Sequence, residues 1–592
     1  MTDITNMASV VAVSPNLIQI EVSSTDDYAQ LDQQLEIGSY LKISDDGGSA
    51  VVAIVQSYRI RDDAGTTDST TISTPKFIVD AQPVGRLEDG RFRRGGKQIT
   101  IPPKHVEIAS SHLLGEIYDT VGSNKKFSFG TLAQDSAVRV VVDGDKFFGK
   151  HIGVVGSTGA GKSCTVAKIL QEGIQPSDDQ VTRSVLNNSH IIIFDLHGEY
   201  KPAFPTARVM GVDELRLPHW LMDSEELEEM FIESNEENSH NQVSQFRQAV
   251  IENKERHAGS ATGRISYDSP VYFSLMEVIN YLHNLNNEVI GKLEGESLPK
   301  LADGTLIHKR ADHYFDTVLD FVAATTAKDS KASNGPFHGE FNRFLMRLEG
   351  RLADRRLDFL LAPLKLDGGG YMTSDFTALL QYFTGYGKAE PNKAEANVTI
   401  IDLSGVPFEV LSVVVSLMTR IIFTFNFHLK KTRKSADERE LPFLLVYEEA
   451  HNYVPQSEGA KYSSVKKAIE RIAKEGRKYG ISLMIVSQRP SEISETVFSQ
   501  CNNFVAMRLT NPADQRYVRR LLPDDLSAIT DSLPSLERQE AILIGDSVSV
   551  PSLVRVDDIT NRPDSHDIAF HTEWKRDWLD IDMAASIKRW QE

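Results

Sequence analysis

The sequence predicts an α/β fold: a parallel sheet covered on both faces, preceded by a small β domain and interrupted by a helical insertion. Three observations predict it. His151 to Leu170, HIGVVGSTGAGKSCTVAKIL, passes from an apolar strand through a glycine turn into a helix. His190 to Asp195, HIIIFD, and Val398 to Leu403, VTIIDL, are unbroken apolar runs, the pattern of strands buried on both faces. Phe443 to Tyr447, FLLVY, is another such run and empties directly into Glu448 and Glu449.

Taken in order, residues 1–118 read as a β-barrel. Ser9 to Val13, Ile18 to Val22, Tyr40 to Ile43, Ala50 to Val55 and Phe77 to Ala81 are rich in Val, Ile and Tyr and separated by turn formers. Closure leaves no free edge, so a barrel is the economical arrangement. Arg61 to Thr74 reads as a hairpin tip. The nucleotide core spans 119–214 and resumes over 396–556. Between them, 215–395 reads as helical: Ser224 to Ser234 capped by Ser224 or Asp223, Val271 to Leu285, and Glu340 to Leu361. The last of these carries Arg343, Arg347, Arg351, Arg355 and Arg356 among acids, the pattern of a solvated face or of a DNA or subunit contact. The tail, 557–592, ends in an amphipathic helix around Trp574, Trp578 and Trp590 that would brace a neighbouring copy.

Composition narrows the function classes. With 592 residues, 41% hydrophobic and 25% charged, the chain is an ordinary globular protein of several domains. Its two cysteines, Cys164 and Cys501, lack metal-ligand spacing and fit a reducing compartment. The N-terminal stretch lacks the basic and apolar regions of a secretory signal, and Val410 to Phe427 is broken by polar residues. The expectation is therefore a cytoplasmic protein with no membrane span. The net charge of -19 argues against nonspecific coating of nucleic acid but leaves room for DNA in a confined channel.

Gly156, Gly161, Lys162 and Ser163 fill the pattern G-x-x-x-x-G-K-[ST]. In such a loop the amides of Gly156, Ser157, Thr158, Gly159, Ala160, Gly161 and on to Cys164 cradle phosphates. The following helix adds its positive end. Lys162 neutralises the β and γ phosphates of ATP, and Ser163 ligates magnesium. Asp195, His197 and Glu199 follow an apolar strand and so fall near the nucleotide, or Asp195 caps a turn. Glu448 is expected in the magnesium shell and Glu449 as the carboxylate that polarises water. VTIIDL lies between the two motif strands along the chain, the order of additional-strand catalytic-glutamate ATPases. Ser463 to Tyr479 is a basic helix leading to Ile481 to Ser487, at whose end Gln488 is placed to sense the γ-phosphate. Arg471 and Arg477 are candidates for a finger donated into a neighbour's site.

VVGSTGAGKS, FDLHGEY, IIDLSGVP, YEEAHNYVP, the run Glu475 to Ile493 and NNFVAMRLTNPAD resemble the HerA branch of the HerA/FtsK ATPases. The resemblance implies a RecA-like P-loop core in a homohexamer that threads double-stranded DNA using ATP and Mg2+. In archaea such rings work with a NurA-type nuclease, and bacterial relatives resemble the motor of antiphage systems paired with a nuclease or a sirtuin-like NAD-consuming effector. It assigns Lys162 and Ser163 to phosphate and magnesium, Glu449 to catalysis and Gln488 to γ-phosphate sensing. Two positions depart from the pattern: Glu448 replaces the usual Asp, and Lys150 a frequent arginine. Lys461, Lys466 and Lys467 are candidates for gripping DNA phosphates. A ring that chiefly assembles an effector, and a secretion or conjugation motor, are the competing expectations; no separate nuclease constellation is evident.

Overall fold

The computed structural model describes residues 8–22, 36–44, 49–61, 76–88, 91–95, 105–174, 186, 188–232, 239–259, 263–293, 297–386, 396–433, 440–457, 463–521, 527–565 and 568–591. Its centre is a ten-stranded sheet. In spatial order the strands are Arg208–Met210, Val398–Asp402, His190–Asp195, Phe443–Tyr447, Ile481–Ser487, Ile152–Val155, Asn503–Ala506, Glu540–Gly545, Ser552–Val556 and Gly130–Leu132. The first seven run parallel and the last three join antiparallel.

Period-two alternation sorts the apolar runs onto two cores. Phe443, Leu445, Tyr447, Ile192 and Phe194 enter one hydrophobic cluster, while Leu444, Val446, Ile191 and Ile193 enter the other. The first cluster packs against the insertion and the helix Phe408–Thr432. The second packs against the helix Lys162–Ile174 and side chains from the N-terminal region. Among the described residues, Phe408–Thr432 is the one helix long and apolar enough to cross a membrane, and 72% of its apolar window is buried in the fold. The strand standing between the phosphate-loop strand and the acidic strand is Ile481–Ser487, and Val398–Asp402 pairs on the far side of His190–Asp195. Chain order does not give this spatial order, because parallel strands add by crossover, not by sequence, and the strand beside the acidic one is the expected Ile481–Ser487.

The N-terminal region is a seven-stranded antiparallel sheet with its own apolar core. Its ends, Ala8–Ser14 and His105–Ile108, come close together, but among the described residues no hydrogen-bonded ladder joins them. The expected closed barrel is therefore a curled sheet there. The stretch read as a hairpin tip falls almost wholly outside the described residues.

The insertion is less helical than expected. It adds a strand pair, Val289–Gly291 with Ala332–Asn334, and long irregular connections. The continuous helix expected over Glu340 to Leu361 ends at Ala353, because the Asp354 side chain turns to accept the Arg356 amide at 3.1 Å. Asp223, not Ser224, caps Ser224–Phe231, in a reciprocal capping box with Glu226. Val271 to Leu285 shifts to Leu275–Asn287 under a Ser274 cap.

Two buried imidazoles fasten parts of the core. His151 Nε2 donates to the Ala473 carbonyl at 2.9 Å and Nδ1 accepts the Leu483 amide at 3.0 Å. His219 reaches the carbonyls of Leu361 and Phe273. Burial pushes both pKa values down to about 4. The unfolded chain then binds protons that the native state refuses, so their stabilisation is complete above about pH 6.5 and is lost as pH falls toward 4. The loss is up to roughly 3 kcal/mol per histidine. Urea unfolding midpoints compared at pH 7.5 and 5 are expected to fall at the lower pH.

Candidate functional site

The phosphate loop emerges at the carboxyl end of Ile152–Val155. Gly159 and Gly161 hold φ of 76° and 98°, the left-handed region open to glycine, which gives the loop its tight curl. Gly156 is required for a different reason: a Cβ there meets the Met507 Cβ at 2.9 Å. The loop is tied to its neighbours, with Ser157 N donating to the Arg508 carbonyl and Thr158 Oγ1 donating to Gln488 Oε1 at 2.5 Å. Gln488 thus lies against the loop from the next strand. Cys164 is half-buried in the first turn of the loop helix.

Three carboxylates, Glu199, Glu448 and Glu449, converge on the loop's cation and hydroxyl. Ser163 Oγ lies 3.2 Å from Glu448 Oε1 and 3.2 Å from Glu199 Oε2. Burial lowers the Lys162 pKa, while Glu449, Glu448 and Glu199 oppose that shift. Burial pushes the Glu448 carboxyl well above the usual range, reinforced by Asp195, Glu199 and Glu449. Glu448 Oε2 and Glu449 Oε2 are buried without a hydrogen-bond partner. Buried, unsatisfied carboxylate oxygens beside a serine hydroxyl are the environment a divalent cation and its waters complete. The donors fit Mg2+, which prefers oxygen, takes one or two carboxylates and fills its shell from water and phosphate. Among the described residues no cluster of three or more His, Cys, Asp or Glu groups suited to hold a metal by itself is present.

Glu449 is one of two non-glycine residues with positive φ among the described residues, at 46°. Such a conformation in a long side chain is strained and persists where surroundings impose it. Here Asn452 holds the Glu449 carbonyl from both its backbone N and its Nδ2. His451 Nδ1 lies 3.3 Å from Glu449 Oε2 and from Ser487 Oγ. Burial lowers the His451 pKa, so a neutral ring faces the carboxylate.

Several sequence expectations change in place or task. Asp195 is fully buried, and its carboxylate accepts the amides of Gly198, Glu199 and Tyr200 at 2.9, 3.1 and 2.9 Å. It caps the turn that aims Glu199 at Ser163, and its contact to the site runs through Glu448. Glu199, not Asp195, reaches the loop. The basic helix ends at Glu475 and tightens to a 3₁₀ turn over Gly476–Tyr479. Arg471 sits on it with its guanidinium 4.6 Å above the Phe423 ring and 4.0 Å from Glu475. Arg477 precedes Ile481–Ser487 and so lies at the opposite end of the sheet from its own phosphate loop. Lys150 pairs with Asp546 and Lys467 with Glu225; Lys461 lies outside the described residues. Sequence reasoning missed His451 and placed Glu199 near the nucleotide without giving it a task. Their only signals were the GEY turn and the histidine two places beyond the acidic pair.

Residues 127–309 match the model of the central domain of helicase HerA. The "Probable DNA double-strand break repair helicase HerA" of Methanocaldococcus jannaschii is 24% identical over 536 residues, 87% of this chain and 92% of that one. The "DNA double-strand break repair helicase HerA" of Sulfurisphaera tokodaii is 32% identical over 195 residues, 33% of this chain and 38% of that one. The solved VirB4 of Thermoanaerobacter pseudethanolicus aligns with a TM-score of 0.45 at 13% identity, over 74% of this chain and 98% of that one. A phosphate loop facing paired carboxylates, in a chain whose central region matches that domain, marks a P-loop ATPase similar to the HerA helicases.

Proposed function

We propose that this chain is an ATP-driven motor that moves double-stranded DNA, working as a homohexameric ring in the cytoplasm with an effector such as a nuclease or a sirtuin-like NAD-consuming enzyme. The observation that carries the reading is the Ser163, Glu448 and Glu449 constellation beneath the loop, in a chain whose relatives are named DNA repair helicases. Loop amides from Gly156 to Cys164 and the Lys162 ammonium hold the triphosphate. Ser163 and Glu448 are the residues that would hold Mg2+, with Glu199 on the same hydroxyl; when bound, the ion neutralises charge developing on the phosphates. Glu449 accepts a hydrogen bond from the attacking water and aims it, its backbone held by Asn452 and the His451 ring lying beside its carboxylate. Gln488, bonded to Thr158, reads whether the γ-phosphate is present.

Arg477 has no reach to its own loop, being at the other end of the strands. It serves as a finger only if a second copy presents its nucleotide there. Arg471, stacked on Phe423, is the alternative. A finger of this kind accelerates phosphoryl transfer about a thousandfold or more. The test is ATP turnover by the purified chain with and without linear double-stranded DNA. The reading expects turnover to rise with DNA and the stimulation to fade as salt is raised. Turnover indifferent to DNA at every salt concentration would remove the translocation reading while leaving the ATPase.

A further inference from the structure

Glu449 accounts for one of the two non-glycine residues with positive φ among the described residues; the other is Gln539, at 72°. Backbone strain of this kind persists only where the surroundings over-determine it, and it gathers at ligand sites. Four hydrogen bonds impose it here. The Gln539 carbonyl accepts the Val556 amide at 2.9 Å, and its Nε2 donates to Asp558 Oδ1 at 3.3 Å. Around it Glu540 N donates to the Glu537 carbonyl at 3.2 Å, and Glu537 N donates to Glu540 Oε2 at 2.9 Å. The residue this turn presents is Arg538. It is exposed, and among the described residues its guanidinium has no ion-pair partner.

The sheet topology carries that turn to the nucleotide. Glu540–Gly545 runs antiparallel to Asn503–Ala506, so its first residues lie at the carboxyl ends of the parallel strands, the end from which the phosphate loop emerges. The turn lies against the loop: the position a Cβ would take on Gly161 is 3.9 Å from Arg538 Cγ and 3.9 Å from the Gln539 amide nitrogen. Its flank decides which part of a nucleotide it meets. Glu449 and Gln488 follow Phe443–Tyr447 and Ile481–Ser487, on one side of the loop strand, whereas Asn503–Ala506 and Glu540–Gly545 stand on the other. A triphosphate is a linear chain. With its γ end between Glu449 and Gln488, its α-phosphate and nucleoside extend toward the opposite flank, where Arg538 stands. A guanidinium is a planar fork of donors that matches phosphate oxygens two at a time.

We propose that Arg538 binds the α-phosphate of the nucleotide held by its own chain, and that the strained turn at Gln539 serves to present it. This rests on the reading of the phosphate loop given above. It sets Arg538 apart from a finger such as Arg471 or Arg477, which acts on charge developing at the γ-phosphate. Arg538 instead holds a phosphate that ATP and ADP share. The test is equilibrium binding of ADP and of ATP, each with Mg2+, to the full-length unsubstituted chain, Arg538→Ala and Arg538→Lys. Arg538→Ala is expected to weaken both nucleotides by the same factor, about tenfold or more, as the loss of a charge-assisted hydrogen bond does. Arg538→Lys, which keeps the charge but not the fork, is expected to fall between. Thermal unfolding without nucleotide is expected to stay at the unsubstituted midpoint, since the side chain is exposed. ADP affinity unchanged in both variants overturns the proposal. So does a loss confined to ATP, which assigns Arg538 to the γ end. Lys162→Ala measured alongside separates the failures. If the unsubstituted chain binds neither nucleotide, the loop reading falls as well. If it binds ADP, Lys162→Ala weakens that binding and Arg538→Ala does not, only the role of Arg538 is lost.

Discussion

Lys162→Ala reduces ATP turnover by a factor on the order of a hundred to a thousand, and below detection if nucleotide is no longer held. The magnitude is that of removing one preorganised charge from a buried phosphoryl-transfer site. Lys162 has a second task that enlarges the effect. It is the cation against which Glu199, Glu448 and Glu449 are arranged, and burial already works against its charge. Alanine leaves the carboxylates facing each other without a counter-charge. The loop helix should therefore loosen even without nucleotide. Turnover assays with a parallel measurement of amide exchange over residues 156–174 check both parts. Unchanged turnover would remove the loop from the mechanism.

Arg420→Met destabilises the insertion and its helix by roughly 3 kcal/mol, the cost of stranding one member of a buried ion pair. Arg420 donates Nε and Nη2 to Glu226 at 3.1 and 2.7 Å and contacts Asp223 at 3.0 Å. The Glu226 side chain is completely buried. Burial already raises its pKa, and Arg420 is the main opposing influence. Without the guanidinium that pKa rises further. The native state then holds a proton more tightly than the unfolded chain, so the variant's stability falls as pH rises above about 4.5. Replacing both, Arg420→Met with Glu226→Gln, should recover part of the loss and flatten the pH dependence. Thermal unfolding at pH 5 and 8 distinguishes these outcomes from a simple loss of packing, which carries no pH dependence.

The same region shows what a sequence reveals and what it hides. The loop from Gly156 to Ser163 and the pair Glu448 and Glu449 were legible because each is a contiguous pattern whose residue types have one efficient use. The apolar strands were legible because burial on both faces leaves a run without polar interruption. Contacts between distant segments were not. Glu199 reaches Ser163 across 36 residues and Glu448 reaches it across 285, and no local period encodes either meeting. Asp195 was assigned toward the nucleotide because acids at strand ends often serve ligands, whereas three local amides claim it first. Glu225 and Glu229, one turn apart on Ser224–Phe231, bind Lys467 at 2.9 Å and Ser464 N at 3.1 Å. The insertion thereby caps the start of the helix bearing Arg471.

The helix over 340–361 failed for a local reason: periodicity carried it through Asp354, whose side chain competes with the helix for a backbone amide. The tail differs for a global reason. Amphipathic spacing around the tryptophans points to one helix, yet a segment whose described side chains are all exposed has no packed face to sustain it, and two short helices form instead, Phe570–Glu573 and Met583–Gln591.

The central claim is that Glu449 aims the water that attacks a triphosphate held by the loop. Glu449→Gln keeps the size of the side chain and the loop geometry but removes the carboxylate. Measured together, binding of ATP with Mg2+ should persist near the unsubstituted value, while single-turnover hydrolysis falls on the order of a hundredfold or more. Hydrolysis at the original rate in that variant, with nucleotide still bound, would contradict the account.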